Sequence, residues 1–166
     1  MAQQSVTIWS LEMNTPDQLN FKPAPENLDF VVQESRIKNY PLNRFLYSWV
    51  GAPYQWTDKL SWSDAQWQAY AENDDCRLWV GYLEGTPAGY FELRKKGSDV
   101  EIAYFGLAEP FIEQGLGGHL LSQAIREAWQ WDAQRVWVHT CTKDHPYALK
   151  NYIARGMTVY KEEQHS

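Results

Sequence analysis

A glycine-rich turn just before a helical pattern carries the clearest chemical signal in the sequence. Gly115, Gly117 and Gly118 lie within residues 113–119, where a loop passes into a predicted helix. Without Cβ atoms, this backbone can turn tightly and approach a ligand closely. The first N–H groups of the helix lack internal partners and lie at the positive end of its dipole. The turn therefore predicts a phosphate or pyrophosphate cradle, with tight packing alone as an equal alternative.

Other phosphate and catalytic motifs do not occur in the sequence. A dinucleotide-binding fingerprint would need a glycine at position 120, which is Leu120, and no Gly-Lys-Ser/Thr loop follows. Cys141 follows His139 by two positions and suggests a cysteine nucleophile, but side-chain alternation along a strand favours a core or edge position. Neither Cys76 nor Cys141 has zinc-ligand spacing, so we expect no metal site and reduced thiols.

The elements that must position the glycine turn alternate between strand and helix patterns. From residue 76, apolar residues recur at every second position, which is typical of strands. From residue 115 they recur about every 3.6 positions, as on one face of a helix. The run 135–140 is almost continuously apolar, which predicts a strand covered on both faces. Strands are predicted near 6–13, 28–33, 77–83, 88–93, 100–107, 135–140 and 157–160. Helices are predicted at 41–51, after an N-cap at Ser61 or Ser63, at 115–131, and from a cap at Asp144 or His145 to Gly156.

Length and composition predict one globular domain over residues 1–166. Hydrophobic residues make up 44% of the chain and charged residues 22%. A net charge of -6 disfavours nucleic-acid binding and favours a cationic substrate. No signal peptide or membrane span is recognisable, so we expect a cytoplasmic protein without a membrane partner.

Two segments in this order resemble the GNAT N-acetyltransferase superfamily. Residues 100–107 followed by 115–121 resemble its acetyl-CoA-binding motif, and residues 145–157 resemble its second motif. The resemblance covers roughly residues 76–160. Three positions depart from the family pattern, where Ile112 replaces Arg or Gln, His145 replaces Asn and Met157 replaces Phe.

The resemblance implies an α/β fold with a mixed, mostly antiparallel central sheet flanked by helices. Residues 1–75 would form the substrate side, and residues 76–160 the acetyl-CoA-binding core. The implied activity is transfer of acetyl from acetyl-CoA to a primary amine by direct attack in a ternary complex. The acceptor would be a small-molecule or peptide amine, and the sequence permits a homodimer. The alternative is a non-catalytic module that binds acyl-CoA or an aromatic ligand.

The resemblance also implies roles for individual residues. Glu101 would be the general base, against the alternatives of a solvent-facing carboxylate or a pair with Lys95 or Lys96. Tyr152 would protonate the leaving thiolate, against simple ring packing. The Leu107 N–H would polarise the acetyl carbonyl where the strand splays at Gly106. The implied cofactor-binding residues are Phe105, Leu107, Gln114, Gly115, Leu116, Gly117, Gly118, His119 and His145.

Aromatic residues are concentrated in the N-terminal half of the chain. Five of the nine tryptophans precede residue 70. The segment 45–58 could line an aromatic pocket, with Asp58 or Glu34 holding a cation. A core location for most of these rings is the alternative.

Overall fold

The computed structural model describes residues 5–165 and contains one seven-stranded sheet. The strand order is β2-β3-β4-β5-β6-β1-β7, and every neighbouring pair is antiparallel except β5 and β6. This is the expected mixed, mostly antiparallel sheet. The strands are β1 (Val6–Met13), β2 (Phe30–Ser35), β3 (Cys76–Leu83), β4 (Thr86–Lys96), β5 (Asp99–Leu107), β6 (Arg135–Cys141) and β7 (Thr158–His165).

Four α-helices cover the two faces of the sheet. They are α1 (Tyr40–Gly51), α2 (Asp64–Ala71), α3 (Gly117–Gln130) and α4 (Ala148–Ala154). Side-chain alternation along β4 separates the two apolar layers, because Phe91 packs in the α3 and α4 layer while Tyr90 packs against α1. The predicted stripe of α3 is buried, including Leu120 and Ala124.

Local signals place most helix ends. Ser63 is the N-cap of α2 and accepts a hydrogen bond from the Gln66 amide, which selects it over Ser61. The prediction that Asp144 or His145 caps α4 is wrong, because the residue before Ala148 is the N-cap Tyr147. The Asp144 carboxylate instead turns back to β6, where it accepts hydrogen bonds from the Thr140 hydroxyl and the Cys141 amide.

A wedge opens between β5 and β6. These strands pair only where residues 99–101 lie beside 135–137, and they diverge beyond Glu101. On its other edge, β5 stays paired with β4 as far as Leu107, with a register shift opposite Glu92. The divergence therefore starts after Glu101, and the expected start at Gly106 is wrong.

The prediction that β6 is covered on both faces is also wrong. Val136, Val138 and Thr140 are buried, whereas His139 between them is exposed. Helices α3 and α4 pack on one face of β6, but the main sheet contacts of α1 and α2, on the other face, are with β3, β4 and β5. One face of β6 is therefore free to line a cleft. Within residues 5–165, no helix has the length and apolar character that crossing a membrane requires.

Candidate active site

The wedge between β5 and β6 opens into a cleft of about 1080 Å³. Its walls come from both strands, the glycine turn, α4 and the segment 54–59. Tyr152 lies in the apolar layer that α3 and α4 form on one face of the sheet. Val100 and Ile102 point into the same layer, so Glu101, which lies between them on β5, points to the opposite face. The cleft therefore passes through the sheet and connects its two faces.

The glycine turn forms one end of this cleft. Gly115 has a φ of 81°, in the left-handed region that favours glycine. The first hydrogen bond of α3 joins the Leu120 N–H to the Leu116 carbonyl, so the amides of residues 117–119 precede it. Gly117 and Gly118 line the cleft. Leu116 also lines it, although its side chain is completely buried in the core.

Two cationic side chains that the sequence analysis did not single out lie over this turn. A Cβ atom on Gly118 would lie 2.6 Å from Lys22 Cδ and 2.9 Å from Arg155 Nη1. Arg155 Nε and Nη1 are buried and have no hydrogen-bond partner among the described residues. Neither cation forms an ion pair with a carboxylate in residues 5–165. Two cations beside a helix N-terminus suit a ligand that carries phosphate groups.

Hydrogen bonds to α3 hold Lys22 in place. Its amide donates to Ser122 Oγ at 2.9 Å, and its carbonyl lies 2.8 Å from His119 Nδ1. His119 is buried between the rings of Phe21 and Phe30. The His119 side chain therefore anchors the N-terminal segment outside the cleft, which leaves the main-chain N–H of this residue as the group for the expected cofactor contact.

Gln114 also lies outside the cleft, and its contact with the cofactor stays a prediction. Its side-chain amide donates to the Pro110 carbonyl at 3.2 Å, and the residue does not line the cleft. His145 does line the cleft, with its Nδ1 accepting the Tyr147 N–H at 3.1 Å. The ring of Tyr54 lies edge-on to His145 at 5.9 Å, so residues from both halves of the chain meet here.

The free edge of β5 forms the wall between the two ends of the cleft. The Ala108 N–H donates to the Ala88 carbonyl on the β4 side. Because main-chain groups alternate along a strand, the N–H and C=O of Leu107 and Phe105 face away from β4 into the wedge. The Phe105 ring lies 6.1 Å from the ring of Tyr152.

Tyr152 reaches this wall from α4. The side chain is buried and lines the cleft. Burial and the nearby Asp144 carboxylate raise the pKa of its hydroxyl well above the ordinary value. The hydroxyl is therefore protonated at neutral pH and can act as a donor.

Glu101 lies on the other side of the gap. Burial raises the pKa of its carboxyl, although the neighbouring His139 and Arg94 oppose that shift. Its Oε2 lies 3.9 Å from His139 Nδ1. The alternative pair with Lys95 does not form, because the Lys95 ammonium donates to the Trp131 carbonyl. Glu101 is thus a carboxyl with a raised pKa in the wall of the cleft.

Strand alternation does not separate Cys141 from His139 as expected. The two residues are two positions apart on β6, so their side chains share one face, and both line the cleft. Cys141 is partly buried and forms no hydrogen bond with His139, whose imidazole is directed toward Glu101.

Aromatic rings surround a cation near the cleft, but these rings lie outside the predicted segment 45–58, from which Tyr54 and Trp56 line the cleft. The cation comes from the chain itself. The Lys59 ammonium lies within about 5 Å of the ring centres of Trp62, Tyr70 and Tyr104. Asp58 holds this ammonium at 3.0 Å. Glu34 lies on edge strand β2 and does not line the cleft, so its assignment to the pocket is wrong.

Comparison with known proteins agrees with this geometry. The model of the Acetyltransferase (GNAT) family matches residues 43–157. No curated protein gives a significant sequence match. A GCN5-related N-acetyltransferase from Sphaerobacter thermophilus superposes with a TM-score of 0.71 at 14% identity, over 96% of this chain and 50% of that chain. A functionally unknown conserved protein from Staphylococcus epidermidis gives a TM-score of 0.61 at 17% identity, over 97% and 60% of the two chains.

An aminoglycoside acetyltransferase from an uncultured soil metagenomic sample is also similar, with a TM-score of 0.62 at 15% identity. That match covers 76% of this chain and 86% of the other. The chain spans between 50% and 63% of the length of the first four structures it matches. Identities this low establish the fold, and the family model establishes the family because it covers more than half of the chain. The chain therefore belongs to the GNAT acetyltransferase family.

Proposed function

We propose that the protein transfers an acetyl group from acetyl-CoA to a primary amine, which attacks directly in a ternary complex. The observation that carries the proposal is the continuity of the cleft. The amides of the glycine turn lie at one end of the cleft, together with Lys22 and Arg155. The Glu101 carboxyl, whose pKa is raised, lies at the other end, on the opposite face of the sheet. The free edge of β5 joins the two ends.

Each part of the cleft suits one part of coenzyme A. The amides of residues 117–119, together with Lys22 and Arg155, would hold the phosphates. The main-chain groups of Phe105 and Leu107 would pair with the amides of the pantetheine arm, as a neighbouring strand would. When bound, acetyl-CoA supplies an activated thioester.

Two side chains would then transfer protons, and one main-chain amide would stabilise the charge that forms on the carbonyl oxygen. Glu101 takes the proton that the amine loses, directly or through a water molecule. The Leu107 N–H stabilises the negative charge on the carbonyl oxygen while the N–C bond forms. Tyr152 donates its proton to sulfur as the C–S bond breaks. The proton that Glu101 takes up replaces, through solvent, the one that Tyr152 gives up, and the products are an amide and a free thiol.

A thiol-release assay with a panel of primary amines tests this proposal. We expect release of coenzyme A only when an amine is present. Glu101→Gln should lower turnover by about 10²- to 10⁴-fold and leave only the rise of the rate with pH that comes from deprotonation of the amine itself, without changing acetyl-CoA affinity in calorimetry. Lys95→Gln is the matched control, since Lys95 contacts Trp131. Tight acetyl-CoA binding without turnover on any amine would instead favour the non-catalytic module.

A further inference from the structure

We propose that the acceptor is a short amino carboxylate, with its amine at Glu101 and its carboxylate at Arg94 and Lys59. This inference rests on the proposed function and names its substrate class. It concerns the acceptor chamber, defined here as the part of the cleft lined by Asp58, Lys59, Tyr70, Arg94, Glu101 and Tyr104. These residues all lie on the side of the sheet that α1 and α2 cover.

The carboxylate of Asp58 already pairs with groups of the chain itself. Its Oδ1 accepts the Tyr47 hydroxyl at 2.8 Å, and its Oδ2 accepts both the Lys59 ammonium at 3.0 Å and the Tyr104 hydroxyl at 3.2 Å. These donors take most of its acceptor sites, and the ammonium offsets its charge. The aromatic rings that could hold a second ammonium already surround Lys59.

Lys59 is a fixed positive charge in the chamber. Its side chain is only 13% exposed, and its ammonium also donates to the Tyr104 hydroxyl at 2.6 Å. Three ring contacts and two hydrogen bonds hold the group in one place. A substrate that enters the chamber therefore meets an ammonium group already in position.

Arg94 adds a second cation that has no carboxylate partner. Its guanidinium stacks on the Tyr70 ring at 4.2 Å, and Nη1 donates to the Tyr70 carbonyl. Among the described residues, Arg94 forms no ion pair with a carboxylate. The remaining donors of this planar group match the geometry of a carboxylate.

Strand register sets the distance between the two recognition groups. Arg94 on β4 lies directly opposite Glu101 on β5, and both project from the same face of the sheet. Directly paired residues on antiparallel strands have Cβ atoms about 4.5–5.5 Å apart. Because both side chains start from this directly paired position, we expect an acceptor of short length to reach the Glu101 carboxylate and the Arg94 guanidinium together. A diamine of that length would place its second ammonium beside two cations.

Three acceptors of equal length test the inference. They are β-alanine, β-alaninamide and 1,3-diaminopropane, whose distal groups are a carboxylate, a neutral amide and an ammonium. We expect kcat/KM to be about 10- to 100-fold higher for β-alanine than for its amide, the range for a hydrogen bond to a charged group. The diamine should be the poorest acceptor.

Arg94→Gln should reduce the preference for β-alanine over its amide to about threefold or less. Arg77→Gln is the matched control, because Arg77 also stacks on an aromatic ring, that of Trp131 at 4.1 Å, but lies outside the cleft. Equal or better use of the amide or the diamine by the wild type would overturn the inference and leave the proposed acetyl transfer intact.

Calorimetry on the protein saturated with coenzyme A separates the two proposals. β-Alanine could bind more tightly than β-alaninamide in the wild type and lose this advantage in Arg94→Gln. That result would support the acceptor class even if no acetyl group is transferred, and only the proposed acetyl transfer would then be refuted. If β-alanine binds no more tightly than the amide and is not preferred in turnover, the acceptor class is overturned.

Discussion

Replacing Gly117 with alanine should separate the stability of the fold from the binding of acetyl-CoA. Gly117 is the first residue of α3, and unlike Gly115 it does not have a positive φ. A Cβ atom there would lie 3.8 Å from Asn151 Nδ2 and from Leu107 Cδ1, which is ordinary van der Waals contact. The same atom would occupy space that a phosphate needs to reach the amides of the turn.

The two effects have opposite signs. Glycine to alanine at a compatible position stabilises a protein by about 0.4–1 kcal/mol, mainly because the unfolded chain loses freedom. For a domain of this size, that raises the thermal midpoint by about 1–4 °C. In the wild type, acetyl-CoA at about a hundredfold excess over its Kd should add about 2.7 kcal/mol, or about 5–11 °C. If the affinity falls about a hundredfold, the added stability shrinks to about 0.4 kcal/mol.

Thermal midpoints with and without acetyl-CoA measure both effects, and calorimetry gives the Kd. Gln114→Ala is the control, since Gln114 lies in the same loop but outside the cleft. It should keep the full ligand-induced shift, and Gly117→Val should lose it. A Gly117→Ala protein with the wild-type ligand shift would refute the phosphate cradle. If Gly117→Ala without ligand has a lower thermal midpoint than the wild type, the inference that the added Cβ fits without strain is refuted.

Three further predictions follow from single side chains. Tyr152→Phe should lower turnover by about 10²- to 10⁴-fold with unchanged acetyl-CoA affinity, and near-wild-type turnover would leave Tyr152 a packing role only. Burial raises the pKa of Glu92 above 4.5, so the folded state loses stability relative to the unfolded chain as pH rises above that value. Glu92→Gln should therefore unfold at higher denaturant than the wild type at pH 8, with a smaller gap near pH 4, and equal midpoints at pH 8 would contradict this. Gly156→Ala should destabilise the protein more than Gly97→Ala does. Both glycines have a positive φ, but only at Gly156 would the added Cβ overlap another group, the Gln18 carbonyl. Equal losses of stability would exclude this overlap as the cause.

The elements that local patterns encode were predictable from the sequence. The strand at β1 and the helix at α1 lie where they were predicted, near 6–13 and 41–51, and Ser63 with Gln66 marks the start of α2. The end of β4 was not predictable in this way. It runs to Lys96 because it pairs with β5 along its length, and that register depends on residues outside the local pattern.

The cofactor end of the site shows why a motif identifies only part of a binding surface. The glycine turn is contiguous, so its spacing is visible in the sequence. Lys22 and Arg155 are 133 positions apart and meet only because the N-terminal segment packs across α3 and α4. Ile112 stands where the family pattern has Arg or Gln. The two cations beside the turn, Lys22 and Arg155, come instead from distant parts of the chain.

The acceptor end shows the limit of an argument from total charge. A net charge of -6 favoured a cationic substrate, and Asp58 was assigned to hold it. Net charge determines the potential at a distance, which salt screens within about 8–10 Å. Inside the cleft, the nearest groups dominate. There Asp58 is paired with Lys59, while Arg94 forms no ion pair with a carboxylate among residues 5–165. An acidic surface is therefore compatible with a cation in the chamber, and in the proposed reaction the chamber's own charges would select the acceptor.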